Sequence, residues 1–202
     1  MAVTQLRRRP GRPRSGEATV DRPALLAAAE TLIRRDGPGV SLESIAAEAG
    51  VTKPIVYHHV GGKDAVVQGL AWRLNERQAE AVQRAVRKSQ GPDRAIRAFV
   101  DAHLDQLEKD RNIYLYVSGA TPGSGGSDGI LAFADQSAEG LAILLADLRG
   151  DGDRAKALSW AYGVIGLLHV VALWWIRDAD RSREELAAQL TELLWSGIKG
   201  RP

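Results

Sequence analysis

A chain of 202 residues with 45% hydrophobic residues can bury a substantial core, which excludes global disorder. It contains no cysteine, so disulfides, zinc–thiolate sites and thiol redox sensing are excluded. The net charge of +2 hides an asymmetry: residues 1–63 hold ten Lys or Arg against six Asp or Glu, which suits an anionic partner for the N-terminal piece alone.

Residues 1–20, rich in Arg, Pro, Gly and Ser, read as a flexible basic arm. Met1 to Arg14 is charged and lacks an apolar core, so it is no secretory signal, and a cytoplasmic protein is expected. Asp21 caps a first helix with Pro23 in its first turn, a stripe of Leu25, Ala28, Ala29, Leu32 and Ile33, and Gly37 at its end. Ser41 caps a short second helix whose inner face is Leu42, Ile45, Ala46 and Ala49, and Gly50 stops it. A third runs from the cap Thr52 to Val60, and Gly61-Gly62 breaks it. A long fourth helix spans Lys63 to about Lys88, and a fifth opens at Gly91-Pro92 with Ile96, Phe99, Val100, His103, Leu104 and Leu107 on one face. After a short segment at Ile113 to Val117, the glycine-rich stretch Gly119 to Gly129 reads as a mobile loop. Helices follow at Leu131 to Leu148, Asp153 to Ile176 and Ser182 to Ile198, the last with a Ser182/Glu185 capping box. Alternating β-branched runs are absent. The expected fold is therefore all-α with about nine helices.

The informative stretch is Ser41 to Lys63. Two short helices joined by a tight glycine turn form a DNA-reading unit when they cross steeply. Ala46 is small enough for close packing, Gly50 supplies a positive-φ position, and Val51 with Val56 fills the angle. That leaves Thr52, Lys53, Pro54, Tyr57, His58 and His59 on the exposed start and outer face of the third helix, the part that enters a major groove. Hydroxyls and Lys53 suit phosphates; Pro54 and the threonine methyl suit a thymine methyl.

The string Ser41-Leu-Glu-Ser-Ile-Ala-Ala-Glu-Ala-Gly-Val-Thr-Lys-Pro-Ile-Val-Tyr-His-His-Val-Gly-Gly-Lys-Asp64 resembles the signature of TetR-family regulators across about residues 21–70. The resemblance implies an N-terminal three-helix DNA-binding domain (21–66, helix-turn-helix 41–60) and a C-terminal helical ligand-binding and dimerisation domain (67–202). It implies phosphate contacts at Ser41 and Lys63, recognition contacts at Thr52, Lys53, Pro54, Tyr57 and His58, and a homodimer that binds double-stranded palindromic operator DNA as a repressor. Gly61-Gly62 departs from the usual Pro-Ser/Asn, and Val60 from the commoner Phe. In the arm, Arg9-Pro-Gly-Arg-Pro-Arg14 resembles an AT-hook core with Arg12 at its centre; it either reads a minor groove or only adds charge.

By the same resemblance, a small apolar or aromatic effector is held among the fourth to eighth helices, with Trp72, Phe99, His103, Tyr114, Tyr116, Phe133, Trp160 and His169 as candidate lining. Dimerisation through the last two helices would use Gly163, Gly166, Trp174, Trp175, Leu190, Leu194 and Trp195. The stretch Trp160 to Ile176 is nearly all apolar but short for a span and flanked by charge on both sides. Burial at a subunit interface is expected rather than a membrane. No nucleophile elbow, phosphate loop, paired-carboxylate site or metal motif stands out, so neither an enzyme, a metal site nor a cofactor is expected. The rival readings are an architectural DNA binder without a ligand and a membrane-associated helical protein.

Overall fold

Helix starts follow the capping residues. In α1 (Arg22–Asp36) the Asp21 carboxylate accepts the Ala24 N–H at 2.9 Å. In α2 (Leu42–Glu48) Ser41 Oγ accepts the Ser44 N–H at 3.1 Å. Ser182 and Glu185 form the reciprocal box at the start of α9 (Arg183–Ile198), at 3.0 and 3.2 Å. Between them lie α3 (Lys53–His59), α4 (Lys63–Lys88), α5 (Pro92–Lys109), α6 (Arg111–Val117), α7 (Gly126–Arg149) and α8 (Arg154–Asp178). The computed structural model describes residues 21–119, 126–150, 152–178 and 180–198, and every regular element among them is helical.

One boundary differs from expectation. The glycine-rich stretch read as a loop yields to α7 from Gly126 onward, while residues 120–125 lie outside the described residues. The boundary drawn at 66/67 falls inside α4, which runs unbroken through it. One hydrophobic core passes from Leu25 and Ile33 of α1 through Val66 and Leu70 of α4 to Leu104, Ile113, Leu168 and Leu190. A second, smaller core joins α7 to α8 through Ala134, Ala138, Ala142, Ala157 and Ala161, spaced four residues apart so that two flat faces meet.

The reading head packs on α4 at a glycine. A Cβ on Gly69 would stand 2.8 Å from Leu26 Cδ1, and Leu26 is itself buried. Gly69→Val is therefore expected to lower stability by about 1–3 kcal/mol, the usual cost of overpacking, with urea denaturation as the measurement.

Helix α8, expected to be buried at a subunit interface, has within the single chain an inner row, including Ala157, Ala161, Val164, Leu168 and Ala172, packed in the protein, and an exposed outer row, including Tyr162, Val170 and Trp174. Length and composition alone would let it cross a membrane, but the inner row is committed to packing against protein.

Candidate DNA-reading head and interior cavity

The geometry of the head begins at Gly50, whose φ of 68° lets the chain reverse while the Val51 N–H returns to the Ala46 carbonyl at 2.9 Å. Ala46, Val56 and Val60 are buried against Ile45 and Leu42, so α3 is held across α2 by apolar contact along one side only. Everything else on α3 faces out. Thr52, Lys53, Pro54, Tyr57, His58 and His59 are all exposed, as are Ser41 and Lys63. Tyr57 is half exposed, a large surface for a ring of its size to leave in water. Thr52 stands at the N-cap position but makes no side-chain capping bond, which leaves its hydroxyl available to a partner.

Lys53 is engaged with Glu43 of α2 by an ion pair and lies 5.9 Å over the Tyr57 ring. The hydrogen bond raises the Lys53 pKa and lowers that of Glu43. Glu43 therefore neutralises a cation on the exposed face of α3. Ile55, also exposed on α3, is a residue that sequence reasoning missed. An apolar residue between two others reads as core, and only the helix phase set by buried Val56 turns it outward. Gly61, at φ 109°, and Gly62 then lead into α4, whose first turn has no side-chain cap. Arg12 lies outside the described residues.

Behind the head sits a buried ion-pair cluster that the sequence did not reveal. Asp110, 4% exposed, ends α5 and begins α6. Its carboxylate accepts from Arg34 Nη2 at 2.7 Å, Arg77 Nε at 3.2 Å and Gln106 Nε2 at 2.7 Å. Glu30 accepts from Arg34 at 3.3 Å and from Arg77 at 3.1 Å. Burial pushes the Asp110 carboxyl up, but the hydrogen bond from Arg34 and the charges of Arg77 and Arg34 outweigh it and hold the group below the usual carboxylate range. The cluster ties α1, α4, α5 and α6 at one point.

One turn beyond Asp110, Tyr114 reaches a cavity of about 490 Å³. Its walls are mostly apolar, including Val82, Val86, Phe99, Leu141, Leu144, Ile165 and Leu168. Among the polar residues that line it are Gln78 of α4, His103 of α5, Tyr114 of α6, Ser137 of α7 and His169 of α8. Burial pushes the Tyr114 phenol up, so it stays protonated, and its hydroxyl and His169 Nδ1 share a hydrogen bond of 2.6 Å. Gln78 Nε2 donates to His103 Nδ1 at 2.7 Å. Burial, with a smaller repulsive contribution from His169, lowers His103 to about 4, and burial lowers His169 as well, so His103 is neutral at physiological pH.

Of the residues expected to line a pocket, Trp72, Phe99, His103, Tyr114 and His169 come together here. Two do not. Tyr116 is buried in the main core, on the other side of its short helix, and Trp160 packs half-buried against the alanine cluster of α7 and α8, under Lys156. The side chain of Phe133 lies outside the described residues. Among the described residues no group of three His, Cys, Asp or Glu is placed to hold a metal.

The residues expected at a dimer interface also divide. Trp174 is 42% exposed, Trp195 is half-buried, and Gly163 and Gly166 have open space where a Cβ would be. Trp175, Leu190 and Leu194 must be reassigned. They are buried within the single chain, Trp175 donating its indole N–H to the Arg181 carbonyl at 3.1 Å, so they have little surface left for a partner. The exposed apolar residues there are instead Tyr162, Val170 and Trp174 of α8 and Leu193 of α9.

Comparison with known proteins places this geometry. Residues 25–70 match the family described as bacterial regulatory proteins, tetR family, and residues 81–200 match the tetracyclin repressor-like C-terminal domain. An HTH-type transcriptional regulator of Mycobacterium tuberculosis is 26% identical over 183 residues, which cover 83% of this chain and 73% of that one. The fatty acid degradation regulator FadR of Bacillus halodurans superposes with a TM-score of 0.65 at 19% identity, over 89% of this chain and 99% of that one. FadR of Bacillus subtilis, solved with stearoyl-CoA, superposes at 0.64 and 18% identity, over 87% and 98%. The chain thus belongs to the TetR family of DNA-binding, non-enzymatic transcriptional regulators.

Proposed function

We propose that the protein is a homodimeric repressor that grips a palindromic operator with Thr52, Lys53, Pro54, Tyr57 and His58, steadied by Ser41 and Lys63, and releases it when a small apolar molecule fills the interior cavity. The observation that carries the DNA reading is the outward presentation of almost the whole of α3 on a single buried anchor, Val56. A helix held this way offers both faces of its N-terminal half to a groove. A two-fold dimer presents two such helices about 34–36 Å apart, one helical turn of DNA.

The cavity supports the effector reading through its position. Helix α4 carries Lys63 at the head, Arg77 in the ion-pair cluster and Gln78 at the cavity. Helix α6 begins at Asp110 and holds Tyr114 one turn later. An occupant that displaces Gln78 or Tyr114 therefore pulls on the same two helices that the cluster clamps to α1. The apolar walls, and the acyl ligand of the Bacillus subtilis neighbour, favour a chain-like or aromatic molecule. An effector that binds one state better shifts the population toward it by its differential affinity.

The test uses a duplex selected from a random pool by the wild-type protein. Tyr57→Ala is expected to weaken binding to that duplex by roughly tenfold to a hundredfold in fluorescence anisotropy, with an unchanged melting curve, because Tyr57 makes no core contact. Equal affinity in the variant would remove α3 from the reading role.

A further inference from the structure

We infer that the effector carries an uncharged hydrogen-bond acceptor, of ester, thioester, lactone or ketone type, on an apolar body, and that His103 is the residue that takes it through its Nε2–H. The inference rests on the proposal that the cavity is the effector site, and it adds the chemistry of the occupant's polar end.

The Gln78 amide nitrogen only donates, so His103 Nδ1 accepts and the ring proton sits on Nε2. That nitrogen is buried and has no hydrogen-bond partner among the described residues, on a residue only 8% exposed that borders the cavity. Buried donors in folded proteins are almost always paired. One left open beside an apolar cavity is a position where a ligand's acceptor completes the set.

The charge of that acceptor follows from what surrounds it. The charged residues among the lining are Glu76 and Arg87, both exposed on α4. Arg87 is already turned back on Gln83, toward its carbonyl and side-chain oxygens. Around His103 the groups are neutral: Gln78, Tyr114 and His169. Burial opposes protonation of His103, so the ring itself offers no cation to a carboxylate. A carbonyl accepts one hydrogen bond from a neutral imidazole without bringing a charge into apolar surroundings.

The experiment compares methyl octanoate with octanoate, by calorimetry or thermal shift at pH 7.5, on the full chain and two variants. Wild type is expected to bind the ester at least tenfold more tightly than the carboxylate. His103→Phe, which keeps the ring and removes the donor, is expected to lose at least tenfold for the ester. Ala79→Phe, which adds bulk to the cavity wall, is expected to lose both ligands. Nitrogen NMR of wild type tests the donor without any substitution: the His103 Nε2 resonance should shift on adding ester and not on adding octanoate. Tighter binding of the carboxylate, an unshifted Nε2 resonance, or an ester affinity unchanged in His103→Phe overturns the inference while leaving the cavity as the site. Ester binding that survives Ala79→Phe unchanged, or no binding to wild type at all, instead overturns the cavity reading.

Discussion

Asp110→Ala is expected to lower the folding stability by about 1–3 kcal/mol, the cost of losing a buried hydrogen-bonded carboxylate whose arginine partners, 43% and 32% exposed, remain in reach of water. The substitution leaves Arg34 and Arg77 facing each other across a site with Glu30 as the remaining acid, and it strands the Gln106 amide. Urea denaturation at pH 7 measures the loss. The pH dependence provides a second check. The folded-state pKa of Asp110 lies below its unfolded value of about 3.9. Its contribution is therefore complete above that unfolded value and disappears as pH falls through the folded one. Wild type should lose stability on acidification through this window, and Asp110→Asn should lose less of it. A variant as stable as wild type at pH 7 would mean that the cluster is ornamental and that α1 is held by apolar contact alone.

Val170→Glu is expected to abolish the dimer. Val170 is 65% exposed in the single chain, so the change does not disturb the fold. In a two-fold interface the new carboxylate appears twice, each buried without a partner at about 3–5 kcal/mol. Light scattering should then report a monomer, and affinity for the proposed palindromic operator should fall by at least a hundredfold, since one head alone would read half of it. The same substitution at Leu193 should act similarly, being exposed on the neighbouring helix. If Val170→Glu remained a dimer, the interface would lie elsewhere and the exposed row on α8 would need a different partner.

Much of this was legible beforehand, and the reasons are local. Asp21, Ser41 and the Ser182/Glu185 pair announce helix starts because caps act within three residues of themselves. Gly50, Ala46 and Val56 announce the crossing of α2 and α3 because small size, positive φ and burial each demand a particular residue type there. The ion-pair cluster was not legible, since Glu30, Arg34, Arg77 and Asp110 come from distant parts of the chain and each reads as ordinary surface charge. Which aromatics face the cavity was legible only in part. Tyr114 and Tyr116 sit two residues apart on α6 and so point to different sides, one to His169 and one to the core. The apolar run in α8 was legible as a buried helix but not row by row: composition says that a helix is oily, whereas only the packing of its neighbours says which row faces the chain's own core.

The continuity of α4 sets a mechanical scale. From Gln78 to Lys63 the rod is about 22 Å long, so a tilt of about 5° at the cavity end swings the far tip by about 2 Å. Hydrogen bonds to phosphate or base tolerate only about half an ångström. On the proposed mechanism, a ligand far smaller than the helix unseats both heads by leverage, with no need to melt or unwind anything.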